Sequence, residues 1–342
     1  MKGMLIHRGV TLLLGGLLSL LSLQVWAVGG ITSDNAAPHF ATGKFNETFT
    51  DLQVKVLGGT VRVTRYWQDD HWVWNRRWSD LEPVWAGVDD EQPSAFRRID
   101  QHYPRVAGSD NVRYENQLIY TIDYNAADDE YRWQDRRGNV IDYAVERDDN
   151  GRILRVPMIR YSDRNGITVS VERDSEGYIT RVLDHLGNTV LTYTWEAATT
   201  STDKRLARVT DHSGRQVQYQ YDGNDRLTGV IDVRGKTYHY GYTGAGQLAG
   251  FTDPKGQATT YSFNPIDEVI LARAESNGTT CEYIQIRGNE LKSAYNADGV
   301  GNSYSVSYNP DTRQYTRRST DATGVVNERR YGEHGELVSK SR

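Results

Sequence analysis

The chain has 342 residues and a formal net charge of −5, with 37% hydrophobic and 25% charged residues. Its 22 Tyr and 8 Trp exclude an intrinsically disordered chain, which lacks such aromatics. No basic stripe runs along it, so nucleic acid is not an expected partner.

Lys2, His7 and Arg8 give the N-terminus a positive start. Residues 10–23 are apolar apart from Thr11, Gly15, Gly16, Ser19 and Ser22, and Val25, Trp26 and Ala27 follow. That is the layout of a secretory signal. Residues 1–27 are therefore expected to be a signal peptide cleaved after Ala27, leaving a secreted, periplasmic or cell-surface protein. The alternative is an uncleaved anchor, which wants about 20 apolar residues. The membrane is expected to be touched only there.

Residues 28–43 carry Gly29, Gly30, Ser33, Asn35 and Pro38 and read as a flexible leader. Residues 44–122 read as a small N-terminal β cap. Leu52, Val54 and Val56 alternate, Gly58 and Gly59 follow, and Val61 and Val63 alternate again, which is a hairpin pattern. Then comes a tryptophan cluster, Trp67, Trp72, Trp74, Trp78 and Trp85, interleaved with Asp69, Asp70, Arg76, Arg77 and Asp80. Trp67, Trp72, Trp74 and Trp78 are candidate carbohydrate-binding residues, since sugars stack on aromatic faces and bond to acids and Arg. The competing reading is a packed cap, because aromatics bury much area each.

From residue 123 to 342 a repeat runs. Asp211, Asp232 and Asp253 recur every 21 residues, each opening an Asp-x-x-Gly unit with Gly214, Gly235 and Gly256. Tyr219, Tyr240 and Tyr261 stand eight residues after each Asp, and Tyr221, Tyr242 and Phe263 two further on. Leu227, Leu248 and Val269 follow the next turn. Asp135/Gly138, Asp163/Gly166 and Asp184/Gly187 start other copies, and the register slips after Asp253, toward Gly278. A last copy holds Thr323 and Gly324. Gly takes positive φ at such turns without a Cβ clash, and Tyr, Val and Thr favour the strands between them. The mature chain is expected to be nearly all β, with Tyr219, Tyr240 and Tyr261 on one sheet face.

Cys281 is the single cysteine, so no intrachain disulfide forms, and it reads as a small hydrophobe in a strand. The acidic pairs Asp89-Asp90-Glu91, Asp128-Asp129-Glu130 and Asp148-Asp149 fall in expected turns, where Asp accepts backbone bonds. His102, His185, His212 and His239 are scattered without metal-ligand spacing. No catalytic residue, cofactor site or metal site is expected, and the protein is read as a non-enzyme.

The unit Arg215-Gln216-Val217-Gln218-Tyr219-Gln220-Tyr221-Asp222-Gly223-Asn224-Asp225-Arg226-Leu227-Thr228 resembles the YD repeat. That repeat defines the Rhs family and occurs in Tc-type toxin subunits and teneurins. Residues 148–153 and Gly335-Glu336-Leu337 echo its second half. The resemblance implies antiparallel hairpins forming a curved, spiralling sheet, a partial shell preceded by the β cap. It implies an exported scaffold that carries or delivers a toxin in interbacterial or host interaction. Another Rhs polypeptide, or a toxin or immunity protein, is then the expected partner. The alternative is a cell-surface adhesion module that binds glycans. The family's self-cleavage motif is built around Asp-Pro-x-Gly, and Asp253-Pro254-Lys255-Gly256 matches it. Those residues lie in phase with the other turns and read as a turn, so the protease role is not carried to Asp253. The array stops inside a unit at residues 337–342, which predicts an open edge that pairs with a second polypeptide or self-associates.

Overall fold

The computed structural model describes residues 32–38, 45–57, 59–68, 71–87, 92–99, 101–108, 112–116, 120–263, 270–276, 280–286, 290–295, 301–332 and 337–341. The signal stretch and Ala27 lie outside them, as do Gly58, Asp69, Asp70, Asp89, Asp90, Glu91, Val269, Gly278, Gly335 and Glu336. The described chain is nearly all strand, and its one helical element is the short 3-10 turn Arg76–Trp78.

The main sheet begins with strand Arg113–Asn116 and ends with strand Leu337–Ser341. Its strands pair antiparallel with their sequence neighbours, as in Tyr219↔Val230, Val230↔Tyr238 and Tyr240↔Phe251. One interruption occurs early: Val140–Ala144 pairs with Met158–Ser162, and the short strands Glu146–Arg147 and Ile153–Arg155 form a two-stranded flap between them. Among the described residues no registered pair joins Leu337–Ser341 back to Arg113–Asn116. The sheet is open.

The turns explain the repeat. In Asp211–Arg215 the Asp carboxylate Oδ1 accepts the backbone N–H groups of Ser213 and Arg215, at 2.9 and 3.0 Å. The Gly214 N–H donates to the Asp211 carbonyl at 3.0 Å, with Gly214 at φ 84°. One side chain thus satisfies two backbone donors that a tight turn would leave open. The same bonds recur at Asp232 and at Asp253, where Lys255 and Gln257 donate to Oδ1, so Asp253-Pro254-Lys255-Gly256 is one repeat turn among many. The turns at the opposite rim use the same design. Asp222 accepts from Asn224 and Arg226, with Asp225 at φ 60° in the glycine's place.

Between turns the strands alternate. Gln216, Gln218 and Gln220 are exposed, while Val217 and Tyr219 are buried. Tyr219, Tyr240 and Tyr261 are 5%, 5% and 6% exposed and lie on the covered, inner face. The second aromatic of each unit ties neighbouring hairpins together. The Tyr221 hydroxyl donates to the Leu206 carbonyl and the Tyr242 hydroxyl to the Leu227 carbonyl, both at 2.7 Å. Phe263 has no hydroxyl for this bond.

The N-terminal part forms two smaller sheets. Strands Thr32–Pro38, Phe45–Val56, Gly59–Gln68 and His71–Trp74 make a four-stranded one. Strand Thr32–Pro38 falls within residues 28–43, which the sequence reads as a leader. It pairs with Phe45–Val56 through backbone groups, which small and polar residues supply as well as apolar ones. Strands Glu82–Val84, Ala95–Arg98 and Gln101–Pro104 make a three-stranded sheet. A bridge between Leu81 and Val156 links this region to the flap of the main sheet.

Candidate functional site

What covers the inner face is the N-terminal segment itself. Phe49 is fully buried, its ring edge-on to Trp72, Tyr240 and Phe251 at 5.6, 5.5 and 5.1 Å. Val54, Val61, Val63 and Trp67 join Val209, Val217, Val230 and Leu248 in one core cluster.

A β-bulge at Asp51 sets the polar part of this contact. The register of Phe45–Val56 against Gly59–Gln68 shifts between Thr50 and Leu52. Before the shift Glu47 and Phe49 are buried, and after it Leu52 and Val54. The extra residue lets Asp51 and Leu52 both point inward, as bulges re-aim side chains. Arg65 stands two residues after Val63 and two before Trp67, all buried. Its Nε donates to Asp51 Oδ2 at 2.6 Å and its Nη2 to Asp51 Oδ1 at 2.9 Å. Both side chains are 0% exposed. The main sheet completes the group: Arg65 Nη2 also donates to the Tyr240 hydroxyl at 2.6 Å, and the Tyr219 hydroxyl donates to Asp51 Oδ2 at 2.9 Å. The guanidinium lies 4.8 Å from the ring centres of Trp72 and Tyr240 and 5.0 Å from that of Phe49, a cation–π cage.

Charge follows from these neighbours. Burial opposes the Arg65 charge, but Asp51 and the Tyr240 and Tyr219 oxygens outweigh it and hold the guanidinium protonated. Burial, then the Asp51 charge, pushes the Tyr219 phenol well above its ordinary value. Burial also raises Tyr240, against the pull of Arg65. The centre is an ion pair with neutral phenols as donor and acceptor.

Further hydroxyls of the inner face meet the N-terminal segment in the same way. Asn75 Nδ2 donates to the Tyr193 hydroxyl at 2.7 Å, and Arg98 Nε to the Tyr143 hydroxyl at 2.7 Å. Toward the C-terminal end Arg273 Nη2 lies 3.8 Å from Glu47 Oε1. Arg215 Nη2 donates to the Gln53 carbonyl at 3.0 Å. The segment is therefore held along the array from Tyr143 to Arg273.

The candidate carbohydrate residues fall within this contact. Trp67 is 2% exposed and offers no face to a ligand. Trp72, Trp74 and Trp78 are partly buried against the core. Trp72 Nε1 donates to the Tyr242 hydroxyl at 2.9 Å, and Trp74 packs edge-on to Tyr219 at 5.8 Å. Asp80 takes Arg173 at 2.9 Å and Arg155 at 3.5 Å, and Arg76 lies over the Tyr66 ring at 4.2 Å. Of the acidic pairs, Asp129 is bound to Arg147 and Tyr124, and Asp148 caps a turn. The sequence reading did not single out Asp51, Arg65, Asn75, Arg98 or Glu47. The legible signal was Arg65, a cation in phase with Val61, Val63 and Trp67.

The family model described as Teneurin YD-shell matches residues 150–342. No curated protein matches the chain. Among solved structures, "Crystal Structure of TcdB2-TccC3-Cdc42" aligns with 88% of this chain and 23% of its own, at 11% identity and TM-score 0.29. "Crystal Structure of TcdB2-TccC3-TEV" aligns with 87% of this chain and 20% of its own, at 11% identity and TM-score 0.30. A Photorhabdus luminescens Tc holotoxin pore aligns with 86% of this chain and 24% of its own, at 9% identity and TM-score 0.28. The chain thus spans 20–24% of the length of these solved chains.

Proposed function

The chain belongs to the teneurin YD-shell family, and on that premise we propose that it is an exported, non-enzymatic shell scaffold. In this reading the repeats form the wall of a compartment that carries a toxin polypeptide in interbacterial or host interaction. The N-terminal segment fills part of that compartment. One observation carries the reading. The strands from Arg113 to Glu275 keep one face solvated and turn the other onto a separate segment of the chain, through Tyr143, Tyr193, Tyr219, Tyr240 and Arg273. A wall with an inner lining suits enclosure, and its side chains are engaged in packing and turn formation.

The test is fractionation of the producing cell, followed by protease treatment of the exported material. A mature chain found outside the cytoplasm, with a co-exported polypeptide protected only while the wall is folded, supports the proposal. Retention of the folded chain in the cytoplasm, or exported chain with no protected polypeptide, overturns it.

A further inference from the structure

The two rims of the wall differ in what their turns expose. Strands from Glu130–Asp135 to Ala258–Phe263 pair with their neighbours, and the flap leaves Val140–Ala144 directly beside Met158–Ser162. The turns at 135–139, 163–167, 184–188, 211–215, 232–236 and 253–257 therefore stand side by side on one rim. Strands lie about 4.8 Å apart, so these turns follow one another at about 10 Å. The first two touch: Arg164 Cβ lies 3.4 Å from where a Cβ of Gly138 would stand.

The acid of each turn is bound within that turn. Asp135 Oδ1 accepts the N–H groups of Arg137 and Asn139, and Asp163 Oδ1 those of Asn165 and Ile167. Asp184 holds Leu186 and Asn188 in the same way. None of the opening aspartates is exposed, and Asp211 and Asp232 are buried. The tips carry cations instead. Among the described residues the ion pairs within these turns are Arg215 to Asp211 and Arg234 to Asp232. Arg136, Arg137, Arg164, Lys236 and Lys255 stand outside them, and all are exposed. On the opposite rim the cations are paired: Arg147 with Asp129, Lys204 with Asp174, Arg205 with Asp225 and Arg226 with Asp222.

Apolar tips share the cationic rim. Leu186, in the turn 184–188, is 73% exposed, and Leu57 is 71% exposed. Among the described residues they are the two most exposed large apolar side chains. Leu57 lies at the tip of the hairpin formed by Phe45–Val56 and Gly59–Gln68. That tip abuts the turn 163–167, since Ile167 Cδ1 lies 2.6 Å from where a Cβ of Gly59 would stand.

We propose that this rim is a contact surface for an anionic lipid bilayer. Arg136, Arg137, Arg164, Lys236 and Lys255 meet its headgroups, and Leu57 and Leu186 enter the acyl boundary. A soluble acidic partner would answer the cations alone, whereas an anionic bilayer answers the cations and the leucines together. The contact is separate from residues 1–27 and from any enclosed polypeptide.

The experiment is co-sedimentation of the full chain with vesicles of equal phosphatidylcholine and phosphatidylglycerol. Pure phosphatidylcholine vesicles are the control surface, and a peptide of alternating Glu and Thr is the soluble competitor. Binding to the anionic vesicles is expected, and it should weaken as salt rises. Arg136→Gln/Arg164→Gln should lose at least about tenfold affinity. Leu57→Ser/Leu186→Ser should also weaken binding, with an unchanged melting curve. Arg152→Gln/Arg208→Gln removes the same charge from exposed positions off this rim and should leave affinity unchanged. No binding by the parent chain overturns the proposal. So does equal binding by the parent and the rim variants, which would assign the contact to residues 1–27. Equal losses from the rim and control variants overturn it as well. An unaffected leucine variant, or release of the chain by the acidic peptide at matched charge, would point to a soluble acidic partner and overturn it too.

Discussion

Arg65 meets Asp51 through a two-point ion pair, Nε to Oδ2 at 2.6 Å and Nη2 to Oδ1 at 2.9 Å, with neither side chain exposed. The pair belongs to the N-terminal sheet, yet the main sheet finishes it through Tyr219 and Tyr240. Two buried charges are costly to desolvate, so the geometry must return that cost. The two-point fit, two phenol bonds and three aromatic rings supply the return. They also tie the segment to two successive units of the array, Asp51 to Tyr219 and Arg65 to Tyr240.

Removing one partner should therefore be far worse than removing both. Asp51→Ala leaves the Arg65 charge buried and is expected to lower stability by about 3–5 kcal/mol. Asp51→Ala combined with Arg65→Met should cost clearly less than Asp51→Ala alone. Urea denaturation of the mature chain measures both. Equal losses would show that the pair is not coupled.

The aromatic ties give a graded series. Tyr221→Phe deletes one bond to the Leu206 carbonyl and is expected to cost about 1 kcal/mol. Tyr242→Phe deletes the bond to Leu227 and also takes the acceptor from Trp72 Nε1, so its cost should exceed that of Tyr221→Phe. Thermal melts of the two variants rank them, and the reverse order would contradict the Trp72 contact.

Two glycines one repeat apart should respond differently to a methyl group. A Cβ at Gly250 would lie 2.3 Å from the Thr259 carbonyl oxygen, and Gly250 has φ 154°. A Cβ at Gly229 would meet the Gln220 amide oxygen at 2.4 Å, the far end of a flexible side chain. Gly250→Ala is expected to destabilise by about 1–3 kcal/mol through overpacking, and Gly229→Ala by less. Denaturation midpoints compare them, and equal midpoints would count against the close strand approach at Gly250.

Most of the wall was legible in the sequence, because the Asp-x-x-Gly turns and the alternation around Tyr219 are local patterns with local causes. The second rim was harder to read: Thr243 replaces Asp and Asp225 replaces Gly, so one geometry hides behind different letters. The lining was not legible. Tyr219 finds Asp51 across 168 residues and Tyr240 finds Arg65 across 175, and no pattern in one strand names a partner so distant. The alternation of Leu52, Val54 and Val56 even assigns Asp51 to the solvent face. Only the bulge turns it inward, and a bulge leaves no mark in hydrophobic periodicity.

The buried phenols predict an alkaline limit to stability. Burial raises Tyr219 and Tyr240, and likewise Tyr193 and Tyr143, above the ordinary tyrosine value. Burial also pushes Tyr103, Tyr114 and Tyr242 up to about 12. A phenol is neutral when protonated, so above pH about 10 the unfolded chain gives up protons that the folded chain keeps. The contribution of these groups is complete below pH about 10 and is lost as pH rises through the folded values near 12. The change must come with unfolding, because ionised Tyr219 would face Asp51 across 2.9 Å with no water between. Near-ultraviolet absorbance of phenolate and far-ultraviolet circular dichroism, recorded together in an alkaline titration, test this. The expected result is a block of tyrosines that ionises in one cooperative step, coincident with loss of strand signal. Tyr219→Phe should remove one phenolate from that step. A smooth titration of all tyrosines with the strand signal intact would show that the inner face is open to solvent and that the N-terminal segment does not seal it.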